Sequence, residues 1–292
     1  MNLLEVASKY APSSALQFTI AKEILHYDIL EILYSNPIGK MLVFQDGTAL
    51  RLCYNNDRYS EDLDFVVADG FSFNPDDMQF FKKTFQERIL KKYKLEIELD
   101  EPKNDENIVK KYTAKILLPL ANRQKVKINI EIAQIPSHDN ILKIINNNYP
   151  NEFNVNAFVR VESREEIFAD KIIALGSRPY LKFRDFWDIK FLNDLNIILD
   201  IELIRAKIND YKIENFGEKL RKRIEIIKSE DLTQDFLNEM SRFLEPRLLE
   251  FVKHNSFFND VKRAVVSMGE ESLDVLEHQP ASKPYIGKHR KA

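Results

Sequence analysis

The chain has 292 residues, 44% of them apolar, with 20 Phe and 11 Tyr, enough to bury a sizeable interior and long enough for two cores. Seven glycines exclude a collagen-like or linker-rich chain, and 43 basic against 46 acidic residues leave a net charge of −3, with no overall pull toward nucleic acid. The one cysteine, Cys53 between Leu52 and Tyr54, can form no internal disulfide and reads as a small core hydrophobe in a reducing compartment.

In chain order, MNLLEVASKYAPSS lacks the basic start and apolar run of a signal peptide, and no run reaches the ~18–20 apolar residues that cross a bilayer; a cytoplasmic chain without membrane contact is expected. Residues 15–34 carry a helical apolar pattern that Asn36-Pro37-Ile38-Gly39-Lys40 stops. KMLVFQ reads as a buried strand of about five residues, GTALRLCY as a helix, and LDFVV as a second strand, which puts Gly47-Thr48 at a strand-to-helix turn. Pro75 opens an amphipathic helix that runs through PDDMQFFKKTFQERILKKY. KLEIELDE, KKYTAKILLPL and KVKINIEIAQI alternate apolar and polar residues, as strands do. Beyond VRVESREEIFADKIIAL the pattern is helical nearly to the end: Ser163 and Glu166 form a capping box, and breaks at 176–179, 195–197 and 209–217 separate three or four helices. The expectation is an α+β domain over 1–160 and a helical domain over 161–292, with a mobile tail from about 277.

In DRYSEDLDF, Asp62 and Asp64 are two apart, so on a strand they share a face while Leu63 and Phe65 point inward. Two carboxylates that close repel unless a cation lies between them, and an all-oxygen pair suits a hard cation such as Mg²⁺. Upstream, a Gly-Thr at a helix start offers backbone N–H groups and a hydroxyl suited to phosphate. In VKINIEIA the apolar Val126, Ile128, Ile130 and Ile132 share one face, leaving Lys127, Asn129 and Glu131 on the other, so Glu131 is a candidate third ligand. Standing alone, each has a plainer reading: a strand end, a turn, an edge charge.

Gly47-Thr48, thirteen residues, then Asp62-Leu63-Asp64 resembles the first motif of the DNA-polymerase-β-like nucleotidyltransferases. The string GTALRLCYNNDRYSEDLDF is similar to the AbiEii-type nucleotidyltransferases, toxins of type IV toxin–antitoxin systems. Arg58-Tyr59-Ser60 matches that family's Arg-x-Ser, Lys171 its lysine motif, and Arg184-Asp185-Phe186-Trp187-Asp188 its Arg-Asp-x-x-Asp; Asp46 stands where the family usually has glycine. The resemblance implies a nucleotidyltransferase-fold domain with a mixed β-sheet followed by a helical bundle, and transfer of a nucleoside monophosphate from an NTP. It implies Mg²⁺ (or Mn²⁺) on Asp62, Asp64 and Glu131, nucleotide contacts from Gly47, Thr48, Arg58, Ser60 and Lys171, and catalytic parts for Lys171, Asp185 and Asp188 beside the three carboxylates. It also implies an RNA acceptor (the tRNA 3′ end) and a cognate antitoxin. The alternatives are a small-molecule, antibiotic-type nucleotidyltransferase and a catalytically idle interaction protein. At 100° per residue, Lys171 falls in an apolar helix arc, and Arg184, Asp185 and Asp188 are expected on one inward side. The basic stretches 82–94 and 218–228 and the tail GKHRKA read as solvated helix faces or, more sharply, as a phosphate-tracking surface. The five histidines show no ligand spacing, so zinc is not expected.

Overall fold

A computed structural model describes residues 1–11, 13–102, 107–118, 125–155, 157–254 and 256–278; the expected tail lies outside these apart from its first two residues, which end a helix. The chain forms two compact units, one of Met1–Ser137 with Ile141–Val161, the other of His138–Asn140 with the chain from Glu162 onward.

The first unit is built on a seven-stranded mixed sheet of β1 (Leu42–Gln45), β2 (Leu63–Ala68), β3 (Ile97–Asp100), β4 (Val109–Leu117), β5 (Lys125–Ser137), β6 (Asn140–Ile144) and β7 (Phe158–Glu162), in the order β3-β4-β5-β2-β1-β7-β6. The β1–β2, β3–β4 and β4–β5 pairs are antiparallel, whereas β2–β5 and β1–β7 are parallel. Around the sheet stand α1 (Leu3–Tyr10), α2 (Ser14–Tyr34), α3 (Asp46–Tyr54) and α4 (Gln79–Tyr93). Helix α2 is apolar on nearly every side, and Ile20, Ile24, Leu25, Ile29, Leu30 and Leu33 are all fully buried, the behaviour expected of a helix hydrophobic all round. Its few buried charges are satisfied: Arg51 lies 3.0 Å from Glu23, and Lys92 Nζ and the Tyr93 hydroxyl reach Asp28 at 2.9 and 2.7 Å.

The predicted strands and helices up to residue 137 are present, with three differences. Pro75–Met78 is a separate 3₁₀ turn, capped by Asn74 and Asp77, before α4 begins. Helix α1 and strands β6 and β7 had no sequence expectation. Strand β4 ends at Leu117, and Pro119 and Leu120 of the expected strand lie outside the described residues.

The second unit is helical: α5 (Arg164–Ser177), α6 (Phe183–Asp194), α7 (Ile201–Asp210), α8 (Phe216–Ser229), α9 (Thr233–Met240), α10 (Pro246–His254) and α11 (Phe257–His278). The anticipated breaks fall between these helices, though they number more than four. Only half of the expected capping box forms. The Ser163 side chain accepts from Glu166 N, but the Glu166 carboxylate turns to the backbone N–H groups of His138 and Asp139, at 2.8 and 2.6 Å, and to Lys207 at 2.8 Å. Three backbone and ammonium donors outbid one helix-terminal N–H. Among the described residues no helix is long and apolar enough to cross a membrane.

Candidate active site

The pleat decides which residues meet on the sheet. Leu63 and Phe65 are fully buried, as are Ile130 and Ile132, so Asp64 and Glu131 must face the other way. The parallel β2–β5 register sets Asp64 directly beside Glu131, and the antiparallel β4–β5 register sets Lys111 on the far side of Glu131. In β1, Gln45 is the partner of Asp64. One lateral row therefore crosses four strands, Lys111–Glu131–Asp64–Gln45. A second row, one pleat away, holds Thr113, Asn129 and Asp62. In it the Thr113 hydroxyl donates to Asn129 Oδ1 at 3.1 Å, and Asn129 Nδ2 donates to Asp62 Oδ1 at 2.9 Å.

This face draws positive charge. Lys111 Nζ lies 2.7 Å from Glu131 Oε1. Burial works against the charge on Lys111, but the bond to Glu131 and the fields of Glu131, Asp62 and Asp64 outweigh it and raise its pKa. Sequence reading missed Lys111 and Thr113, and gave Asn129 a face but no part; their alternation in β4 and β5 was visible, but the register that brings them to the carboxylates was not.

The strand-to-helix turn differs from its sequence reading in three respects. Asp46, where the resembled family carries glycine, has φ +64°, a left-handed conformation that glycine adopts freely and aspartate tolerates better than most residues. Thr48 is buried, and its hydroxyl donates to the backbone carbonyl of Asp62, so it ties the turn to the acidic strand rather than offering a free hydroxyl to phosphate. Gly47 is needed for room: a Cβ there would lie 2.1 Å from Arg58 Nη2. That guanidinium is buried and donates to the Tyr59 carbonyl at 3.0 Å. Arg58, which the resemblance gives to the nucleotide, packs against Gly47 of the turn, and Ser60 beyond it is also buried.

In the helical unit, Lys171 Nζ lies 3.1 Å from Asp185 Oδ1 and 2.7 Å from Asp188 Oδ2, and Arg178 also pairs with Asp185. Lys171, Asp185 and Asp188 are all buried, as charged groups are only when paired. Asp185 and Asp188, three apart, share a helix face. Arg184, four residues before Asp188 and so also near it on the helix, does not join them, contrary to the expectation: its Nε turns to Glu239 at 3.3 Å.

About half of the basic side chains in these stretches have acidic partners. In α4, Lys82, Arg88 and Lys92 pair with Glu101, Glu31 and Asp28 at 3.0, 2.8 and 2.9 Å. In α8, Lys222 pairs with Glu218 at 2.6 Å, and Arg221 and Lys228 pair with Glu277 and Glu270. These six charges suit the solvated-face reading; the motif GKHRKA lies outside the described residues.

Two solved structures have a similar fold. MenT4, a nucleotidyltransferase toxin of Mycobacterium tuberculosis H37Rv, matches 94% of this chain and 99% of its own length with 16% identity and a TM-score of 0.55. JHP933 of Helicobacter pylori matches over 89% and 94% with 20% identity and a TM-score of 0.50. No match is found among curated proteins. The model of the AbiEii nucleotidyl transferase toxins of type IV toxin–antitoxin systems matches residues 28–263, and the chain belongs to that family.

Proposed function

We propose that this nucleotidyltransferase moves a nucleoside monophosphate from an NTP to an RNA acceptor, the 3′ end of tRNA, and that this modification is its toxic act. The observation that carries the reading is the register pair Asp64–Glu131 with Asp62 on the same face, beside a turn that opens a helix. The donor chemistry, all carboxylate oxygen on one face of the sheet, suits a hard divalent cation, Mg²⁺ or Mn²⁺; the three carboxylates do not converge within ligand distance in this structure, and a bound cation would draw them together and take the place of Lys111 at Glu131. Asp62, Asp64 and Glu131 would hold the metal, which when bound activates the attacking hydroxyl and stabilises the leaving pyrophosphate.

The chain's own groups supply the rest. The acceptor hydroxyl attacks the α-phosphorus, the bond to the β-phosphate oxygen breaks, and pyrophosphate leaves. Glu131, or a water it orients, takes the hydroxyl proton. Backbone N–H groups of Gly47 and Thr48, in the first turn of α3, favour phosphate oxygen through the helix dipole. Lys171, held by Asp185 and Asp188 in the helical unit, is the cation that the family resemblance gives to phosphate. A cognate antitoxin is the partner that family membership supports.

The test is incubation with each labelled NTP and total RNA, run with wild type and Asp64→Asn. The substitution keeps the side chain's shape and leaves Leu63 and Phe65 packed, so the melting temperature should hold, or rise without metal as carboxylate repulsion is relieved. Transfer should fall at least ~10³-fold, the scale of losing a preorganised charge at such a site. A folded Asp64→Asn protein with undiminished transfer would sink the mechanism, and label on a small molecule but never on RNA would overturn the acceptor.

A further inference from the structure

The Asp62 residue is held at two points. Its backbone carbonyl accepts the Thr48 hydroxyl, and its Oδ1 accepts Asn129 Nδ2 at 2.9 Å. The second bond has a fixed sense. A carboxylate only accepts, so the Asn129 amide must present its NH₂ to Asp62 and its oxygen elsewhere. That oxygen receives the Thr113 hydroxyl at 3.1 Å, which in turn can only be the donor. Flipping the amide would set two acceptors against each other at Asp62 and leave the hydroxyl facing donors. Thr113 on β4, Asn129 on β5 and Asp62 just ahead of β2 thus form a one-way relay, Thr113 to Asn129 to Asp62, which leaves Asp62 Oδ2 for a cation.

We infer that Asn129 is a positioning residue for Asp62, and Thr113 for Asn129, in the metal-binding site; the inference rests on the proposed reading of that site. A plain cross-strand pair would steady the sheet by a few tenths to about 1 kcal/mol and would do nothing for metal. A carboxylate's orienting hydrogen-bond partner does more. It fixes the rotamer from which the free oxygen binds, and removing such partners costs ~10–100-fold in metal affinity.

The experiment is titration of the full chain with Mn²⁺ alone, followed by calorimetry, for wild type, Asp64→Asn, Asn129→Leu, Thr113→Val and Thr113→Ser, with melting curves recorded without metal. Asn129→Leu keeps volume and removes both hydrogen bonds; its Mn²⁺ affinity should fall ~10–100-fold while the metal-free melting temperature moves little. Thr113→Val should weaken binding in the same direction by less, and Thr113→Ser, which keeps the hydroxyl, should bind as wild type does. A folded Asn129→Leu protein with wild-type affinity overturns the inference. If that variant does not fold, the Thr113 pair decides: equal affinity of Val and Ser overturns it, and weaker binding by Val alone supports it. Wild type binding Mn²⁺ no better than Asp64→Asn removes the metal site itself and the relay's role with it. Wild-type binding that Asp64→Asn loses and Asn129→Leu keeps leaves the site standing and only the relay overturned.

Discussion

Gly47→Ala should destabilise the protein because of one neighbour, Arg58. The added Cβ would sit 2.1 Å from Arg58 Nη2, 3.0 Å from Cζ and 3.1 Å from Nη1, so the planar fork must move as a whole. A guanidinium on the surface would swing aside at little cost, but this one is 2% exposed and bonded to the Tyr59 carbonyl at 3.0 Å. Overpacking alone costs ~1–3 kcal/mol, and losing a hydrogen bond from a charged donor adds ~1.5–3 kcal/mol; a total of about 2–4 kcal/mol is expected if the fork shifts and only part of that bond is lost. Backbone strain contributes nothing, since Gly70 is the only positive-φ glycine among the described residues. In an Arg58→Met background, which keeps the stem and removes the fork, the same alanine has room. Its helix preference over glycine should then make it neutral or stabilising by ~0.5–1 kcal/mol. The assay is urea unfolding of the four proteins of this cycle, and the sign of the Gly47→Ala effect should reverse between backgrounds. An equal penalty in both would show that Gly47 is required for a reason unrelated to Arg58.

This turn shows where sequence was informative and where it was not. The alternation in β2 and β5 was legible because burying Leu63, Phe65, Ile130 and Ile132 forces Asp64 and Glu131 outward whatever lies beside them. Which strands would be neighbours was not, since the β2–β5 pairing joins residues 67 positions apart and depends on how the whole sheet assembles. Lys111 reaches Glu131 by the same non-local register. Gly47 and Arg58 were both recognised as motif residues, but a glycine that admits phosphate and one that admits a guanidinium look alike in sequence. The basic runs of α4 and α8 were visible as charge, while their acidic partners in α2 and α11 were not. Arg184 was grouped with Asp185 and Asp188 by helical projection, which could not show that Glu239, 55 residues on, would take its guanidinium. Strands β6 and β7 escaped because they are five residues each, too short to establish a period before the Asn-rich loop and the Ser163 cap.

Three further predictions concern buried groups. Cys53 is buried, which pushes its thiol pKa up to about 12; at pH 8 it should resist iodoacetamide until urea unfolds the chain, and rapid labelling of the native protein would contradict the packing. Lys207 is fully buried against Glu162, Glu166 and Asp170 at 2.9, 2.8 and 3.1 Å, so Lys207→Met should cost ~3–5 kcal/mol. Burial already raises the pKa of Glu162 and Asp170, so the folded variant binds protons there more readily than the unfolded chain and urea midpoints should show part of that loss recovered as the pH is lowered from neutrality; a penalty independent of pH would refute the charge argument. The last prediction concerns His26 of α2. Its Nε2 faces the Glu61 carbonyl at 3.1 Å and donates to it, while Nδ1 is buried without a partner among the described residues. Burial, opposed by the charge of Glu23, lowers its pKa from 6.5 to about 4. Between those values the unfolded chain binds a proton that the folded chain refuses, so stability is full above pH 6.5 and drains away as pH falls. Each unit is worth ~1.4 kcal/mol, and the 2.5 units from 6.5 to 4 amount to a loss approaching ~3 kcal/mol. His26→Gln keeps an N–H for the Glu61 carbonyl and cannot be protonated. Urea unfolding at pH 7 and pH 4.5 should therefore show a shallower acid loss for the variant, and an equal loss in both proteins would mean that His26 is not what the acid attacks.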